Sequence, residues 1–431
     1  MRFGTDGIRG PAGSWPLDAA GAARVGHAAA RYARAGGGTT VLVGRDTRPS
    51  GPGLVDGVVR GIQAVPGVRA VDAGVVPTGG LAEAVAAQGE GAVGVMVTAS
   101  HNPASDNGFK VLLEGGRKPE DDELATLEAL LALEVPPAVH HGRERLDAVA
   151  AYVRRVGEVG LQGVDLRGRR IAVDLAHGAA TAAWPALQAV LAGVELVGRG
   201  LGDGRINDGV GSEHPEGLAA LVRAERCDAG LAVDGDGDRC LLVDERGEIV
   251  PGDALIGLLA AGLGVQRLAV SVMSSLALEA ALPGVEVLRT PVGDRHLAEA
   301  IRTRGATLGG EESGHVLFAD ALVGGDGLVT GLRALGVAWR RASTLSAAVV
   351  PFAPWPRRLT KVRVAARLPL AEVGAVQAAE AVARARVGPG RTFLRYSGTE
   401  PVLRVLVEGP DPQAVDAAST ALTAACQEAL G

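Results

Sequence analysis

The chain is poor in cysteine and equally poor in lysine. Cys227, Cys240 and Cys426 are odd in number and far apart, which excludes a disulfide scaffold and any metal or redox motif built on paired thiols. They read as buried thiols in a reducing compartment. No apolar run reaches the ~20 residues of a membrane helix, and the opening Met1-Arg2-Phe3-Gly4-Thr5-Asp6 lacks the apolar stretch of an export signal. A cytoplasmic protein without a membrane partner is expected. Excess positive charge is also missing: the formal net charge is −6, which argues against nucleic acid as a partner. The pattern G-x-x-x-x-G-K-[ST] occurs nowhere, so a nucleotide-dependent kinase is disfavoured. No G-x-S-x-G elbow marks a serine hydrolase.

Lys110, Lys118 and Lys361 are the only lysines among 43 basic residues. Under such a bias a surviving lysine is informative, because a partly buried lysine can shed its proton and arginine cannot. Lys118 and Lys361 read as solvated surface residues. Lys110 gains weight from lying ten residues after Ser100.

At 431 residues the chain is too long for one core. Short apolar runs (40–44, 92–97, 170–175, 230–233, 268–272, 286–288) alternate with segments of helical spacing (17–35, 122–133, 147–159, 182–191, 254–263, 295–304, 327–341). That alternation predicts α/β units with largely parallel sheets. After Pro356 the pattern changes to strand (361–364), helix (370–385), two strands (391–395, 402–408) and helix (412–430), a distinct α+β module. Pro136-Pro137, the turn at 245–247 and the proline-rich stretch 351–356 suggest joints. The expected domains are 1–146, 147–248, 249–356 and 357–431. No repeat at sequence level identifies the first three as copies.

Four segments carry chemistry. Thr98-Ala99-Ser100-His101-Asn102-Pro103 puts a hydroxyl directly after a strand, where α/β proteins place reactive groups; a surface turn would read the same. His101 beside it invites a hydrolase reading, but a base adjacent in sequence to its nucleophile is rarely well oriented. Asp234-Gly235-Asp236-Gly237-Asp238-Arg239 alternates three carboxylates with glycines. In an extended loop all three would point one way, as a hard cation such as Mg²⁺ requires. A calcium loop is the rival, with Glu245 at its twelfth position, yet Arg239 occupies the sixth, where glycine is needed. Gly309-Gly310-Glu311-Glu312-Ser313-Gly314-His315 is dense in groups that bind hydroxyls, and a flexible turn fits it equally well. Arg395-Tyr396-Ser397-Gly398-Thr399-Glu400-Pro401 with Arg404 has the makings of an anion cradle.

In this order and spacing, together with Phe3-Gly4-Thr5-Asp6-Gly7-Ile8-Arg9-Gly10, the four segments resemble the α-D-phosphohexomutase family over the whole chain. The resemblance implies three similar α/β domains with mixed, largely parallel sheets and a smaller, four-stranded α+β C-terminal domain around a central cleft. It implies that Ser100 is a phosphoserine and that one Mg²⁺ is held by Ser100, Asp234, Asp236 and Asp238. Arg9, Lys110 and His315 match positions that assist proton transfer. Arg239, Glu311 and Ser313 would meet the sugar, and Arg395, Ser397, Gly398, Thr399 and Arg404 the phosphate that does not react. The substrate would be a small sugar phosphate, and the protein a monomer or homodimer. Within the family, the Phe3–Gly10 opening, Val292-Gly293-Asp294-Arg295, Gly325-Asp326-Gly327-Leu328 and the tail loop most resemble the amino-sugar members, which implies glucosamine 6-phosphate as substrate, with glucosamine 1,6-bisphosphate as intermediate and activator. Mannose or glucose phosphates are the alternative, and a Mg²⁺-dependent sugar phosphatase a distant one. Glu312, Tyr396 and Gly324 depart from the usual amino-sugar pattern, where Gln or Asn, Lys and Thr are common. They bear on the choice of sugar and leave the chemistry untouched.

Overall fold

The run Val93–Val97 is buried along its whole length, as a strand covered on both faces must be. Around such runs the chain builds four sheets in a computed structural model that describes residues 1–4, 7–139, 142–321, 324–397 and 401–431. Internal contacts divide the chain into two units, Met1–Met273 with Gly284–Val350 and Ser274–Pro283 with Pro351–Gly431.

The first unit holds three sheets. One runs in the order Ile8–Pro11, Asp106–Leu112, Val93–Val97, Thr40–Arg45, Arg69–Val75, Arg143–Arg145. The second runs Ile249–Val250, Cys240–Asp244, Ala229–Val233, Arg170–Asp174, Glu195–Arg199, and the third Glu286–Thr290, Arg267–Ser271, Leu308–Gly310, Val316–Phe318. One plan recurs in all three. Parallel strands form the body, and one of them turns back into an antiparallel neighbour. The three turn-back connections are residues 98–105, 234–239 and 311–315, which are the three motif loops of this part of the sequence. The similarity that sequence comparison of the three segments does not reveal is therefore topological.

Two of the departures from the expected helices have a clear physical reason. The segment 182–191 starts as a 3-10 turn, Ala179–Ala183, and becomes α-helical over Trp184–Val190, because Pro185 fits only a first helical turn. The helix Gly51–Gln63 contains four glycines and does not read as a helix in sequence. It forms because Leu54, Val55, Val58, Val59 and Ile62 make one buried stripe, and packing overrides weak propensity.

In the second unit the strands Arg357–Arg363, Val402–Glu408 and Arg391–Tyr396 pair antiparallel, in that order. Val362, Leu403, Val405 and Val407 pack with residues of the helices Gly374–Val387 and Pro412–Leu430 into one core. Among the described residues this sheet has three strands, not the four the resemblance implies. The segment Ser274–Pro283 belongs here through the buried Glu408 carboxylate, which accepts from the Ser275 hydroxyl and from the Leu276 amide at 3.0 Å. Arg391 completes the tie, pairing with Glu408 at 2.8 Å and donating to the Ser274 carbonyl at 2.7 Å. No helix among the described residues is long and apolar enough to cross a membrane.

Candidate active site

The turn-back loops of the first two sheets meet. Ser100 is fully buried and donates from Oγ to Asp234 Oδ2 at 2.6 Å. Its φ is +51°, in the left-handed region that non-glycine residues rarely enter. The Thr98 hydroxyl accepts from the Ser100 amide at 2.9 Å, and His101 Nδ1 lies 3.2 Å from Oγ. His101 therefore does reach its neighbour's hydroxyl, contrary to the expectation from adjacency. The left-handed turn at Ser100 is what swings the two side chains together.

Asp234, Asp236 and Asp238 are all buried, with one ligand oxygen from each lying within 4.8 Å of the others. They converge by a different route from simple alternation. The loop is a turn, closed by the Gly237 amide on the Asp234 carbonyl at 3.1 Å, with Gly237 at φ +77°. At Gly235 a Cβ would lie 2.5 Å from the Ser100 carbonyl oxygen, so glycine is what lets the two loops touch. Asp234 is held through both oxygens, by the Ser100 hydroxyl and the Arg239 amide, whereas the other two carboxylates are oriented through Oδ2. Asp236 Oδ2 accepts from Thr78 Oγ1 at 2.6 Å and pairs with Lys110 at 2.8 Å; Asp238 Oδ2 pairs with Lys110 at 2.9 Å. That leaves Asp236 Oδ1 and Asp238 Oδ1 buried without a hydrogen-bond partner. Three buried carboxylates with a ligand oxygen from each within 4.8 Å, two of them keeping an oxygen without a hydrogen bond, are the donor set of a hard divalent cation, so these residues fit a metal ion.

The electrostatics carry the same imprint. Burial, then the charges of Asp238 and Asp236, push the Asp234 carboxyl well above its ordinary range. Burial would raise Asp238 as well, but Lys110 and His315 outweigh it and hold that carboxyl well below. His315 lies between Asp238 at 3.7 Å and Asp294 at 3.2 Å. Burial alone would lower its pKa, yet the two carboxylates raise it to about 10, so the ring is cationic at neutral pH. Asp294 is paired in turn with Lys118 at 2.5 Å. Lys118 is thus an inward-facing partner of the site rather than a solvated surface residue. His101 is shifted down by burial and by the Arg239 charge.

Of the other residues singled out in the sequence, Arg9 donates to Asn102 Oδ1 at 3.4 Å. Arg239 gives its amide to Asp234 Oδ1 at 3.2 Å and its guanidinium to Glu213 at 3.4 Å. In the third loop Glu311 accepts from the Gly293 amide at 2.9 Å, and Ser313 is exposed. Arg395, Ser397 and Arg404 belong to the second unit. Strand register sets Lys361, Arg404 and Arg395 side by side, on the face opposite Val362, Leu403 and Val405. Lys361 therefore stands in a cationic row. Gly398 and Thr399 lie outside the described residues.

Several participants carried no signal that sequence reading used. The largest is Arg48, fully buried, whose Nε binds Asp46 Oδ2 at 2.9 Å. Its other guanidinium nitrogens donate to three carbonyls of the serine loop, Ser100 and Asn102 at 2.8 Å and Pro103, and to that of Asp106 just beyond it at 2.9 Å. Asp46-Thr47-Arg48 follows an apolar strand, as the serine and aspartate loops do, and that position was the available clue. Thr78 and Asn207 were likewise unmarked, and Asp294 was noted only as part of the motif Val292-Gly293-Asp294-Arg295, without a role at the site.

A buried serine facing a metal-ready carboxylate triplet on turn-back loops of adjoining α/β sheets defines a phosphoryl-transfer enzyme. Comparison with known proteins makes this specific. Residues 1–134, 150–247 and 251–352 match phosphoglucomutase/phosphomannomutase alpha/beta/alpha domains I, II and III, and residues 359–424 match the C-terminal domain. The chain belongs to the phosphoglucomutase/phosphomannomutase family and is an intramolecular phosphotransferase of the isomerase class. It is 40% identical to the phosphoglucosamine mutase of Paracoccus denitrificans over 95% of both chains. It is 37% identical to that of Anaeromyxobacter dehalogenans over 100% of this chain and 99% of the relative. A Burkholderia thailandensis phosphoglucomutase/phosphomannomutase family protein superposes with a TM-score of 0.80 at 28% identity, covering 99% and 97% of the two chains. The fold is also that of an Aspergillus fumigatus N-acetylphosphoglucosamine mutase solved with GlcNAc-6P and magnesium, with a TM-score of 0.69 at 18% identity over 100% and 96%.

Proposed function

We propose that the protein interconverts glucosamine 6-phosphate and glucosamine 1-phosphate through a phosphorylated Ser100. The observation that carries this reading is the 2.6 Å contact between Ser100 Oγ and a carboxylate triplet with two orphaned oxygens. Full-length likeness to phosphoglucosamine mutases supports the amino sugar.

Phospho-Ser100 gives its phosphoryl group to the free sugar hydroxyl. The P–O bond to Oγ breaks, a P–O bond to the sugar forms, and the hydroxyl proton passes to a base. Glucosamine 1,6-bisphosphate results, reverses its orientation, and returns its other phosphoryl group to Ser100. Asp234, Asp236 and Asp238 with the phosphoserine would hold one Mg²⁺, which when bound would neutralise charge on the transferring group. Arg9, Lys110 and His315 handle protons and charge around Ser100; in its cationic form His315 suits the acid role. Arg239, Glu311 and Ser313 orient the sugar. Arg395, Ser397, Gly398, Thr399 and Arg404 hold the distant phosphate, whichever end that is. The functional domains run 1–146, 147–248, 249–356 and 357–431, in a cytoplasmic monomer or homodimer.

The test has two arms. Intact-mass spectrometry of active protein is expected to show one phosphate on the peptide around Ser100, and Ser100→Ala to lose nearly all turnover while remaining folded. Rates for glucosamine, glucose and mannose 6-phosphates, each with its 1,6-bisphosphate, are expected to favour glucosamine. A clear win for glucose or mannose phosphate overturns the amino-sugar assignment and keeps the phosphohexomutase one. Steady release of inorganic phosphate in place of isomerised sugar points to the phosphatase.

A further inference from the structure

The left-handed backbone of Ser100 needs an explanation beyond its own sequence. A serine at φ +51° persists only where its surroundings over-determine it. Two nitrogens from different sheets supply that constraint. Arg48 Nη2 donates to the carbonyls of Ser100 and Asn102, both at 2.8 Å. Asn207 Nδ2 donates to the same two carbonyls, at 2.8 and 3.0 Å. Both lone pairs of each oxygen are therefore occupied. Arg48 comes from the connection that follows Thr40–Arg45, whereas Asn207 lies between Glu195–Arg199 and Glu216–Glu225. Asn207 thus reaches the serine loop from the side of the sheet that carries the aspartate triplet.

We propose that Asn207 is a positioning residue for phosphoryl transfer. With Arg48 it locks the 100–102 backbone so that Ser100 Oγ faces Asp234. This rests on the reading that Ser100 carries the phosphoryl group. Because both partners are carbonyl oxygens, the amide must present its NH2 group and not its oxygen, which fixes its orientation. Asn207 is neutral and buried, and none of its hydrogen bonds goes to the Ser100 hydroxyl or to a carboxylate. Removing its side chain leaves the reacting groups and their charges in place and withdraws only the constraint. The proposal is about alignment, and alignment shows in kcat more than in KM.

Asn207 itself sits at φ +61°, so the variants must tolerate that backbone. Glycine does so without strain, and aspartate nearly as well as asparagine. Asn207→Gly is expected to lower kcat for sugar-phosphate isomerisation about tenfold with KM changed less than about twofold. Asn207→Asp sets a carboxylate against two carbonyls and is expected to fall further. The ³¹P resonance of phospho-Ser100 is expected to broaden or shift in both, while Asn207→Gly melts close to wild type. Phosphorylated Ser100 with kcat within about twofold of wild type in both variants overturns the positioning role. So does a fall in melting temperature unaccompanied by any change in kcat or in the phosphorus signal. Wild-type protein without phosphate on Ser100, and a fully active Ser100→Ala, would instead overturn the reading on which the proposal rests.

Discussion

Asp326 caps the helix Gly327–Arg341 by accepting from the Val329 amide at 2.9 Å, and it also takes the Tyr152 hydroxyl at 2.8 Å. Burial raises its pKa from 3.8 to about 6. Between those values the folded protein holds a proton that the unfolded chain has released, so this group's contribution to stability falls as pH rises through that window. About two pKa units correspond to roughly 3 kcal/mol lost by pH 8. Asp326→Asn keeps an acceptor for the helix and a polar partner for Tyr152 but removes the charge. Its pH-dependent gain over wild type in urea unfolding is expected to be largest at pH 8 and to shrink to about a third of that at pH 4.5. A difference that is flat with pH, or grows toward acid, would refute the assignment. Asp234 belongs at the same scale. Its carboxyl is raised by burial and by two like charges, so Asp234→Asn is expected to melt no lower than wild type without metal. It is also expected to bind Mg²⁺ at least about tenfold more weakly, or ~1.4 kcal/mol, by calorimetric titration. Unchanged Mg²⁺ affinity would reduce the triplet to an acidic turn.

The strands of the second unit carry their own argument. Lys361, Arg404 and Arg395 are direct cross-strand neighbours, and like charges placed opposite one another repel. An anion seated across the row relieves that repulsion, which gives the predicted phosphate cradle a physical motive. A contact of this kind exists in ground and transition states alike, so Arg395→Ala is expected to raise KM for the sugar phosphate at least about tenfold with a smaller loss in kcat. Lys361→Ala should do the same more weakly, because a lysine offers a point charge where arginine offers a fork. Unchanged KM in both would mean that this face binds something else. Much at this scale was legible in advance: strands at 40–45, 93–97, 170–174 and 229–233 are apolar runs that periodicity finds. Asp106–Leu112 was not found, because it opens on Asp-Asn-Gly, a turn signal, although it delivers Lys110 to the triplet. Ser100 and the aspartates could be read because their chemistry is local in sequence. Arg48, Thr78 and Asn207 could not, because each acts through a backbone or a carboxylate distant along the chain.

The two units have separate hydrophobic cores: the first holds several clusters, including those around Val41, Val95 and Phe109 and around Leu218 and Val243, and the second packs around Val362, Leu403 and Leu422. The aspartate triplet lies wholly in the first, and the cationic row wholly in the second. A ligand that binds only the native form stabilises the unit that holds its site, by about 2.7 kcal/mol at a hundredfold excess over Kd. Mg²⁺ and inorganic phosphate are therefore expected to act on different parts of the calorimetric trace of the full chain. Magnesium should move the component belonging to the larger unit upward by a few degrees and leave the smaller component in place, since that component contains none of the three aspartates. Phosphate should act on the smaller component, and this effect should disappear in Arg395→Ala. The magnesium shift should in turn disappear in Asp234→Asn while the phosphate shift survives. A magnesium shift that persists in Asp234→Asn would place the metal elsewhere. A phosphate shift that persists in Arg395→Ala would detach the cradle from the row Lys361, Arg404 and Arg395.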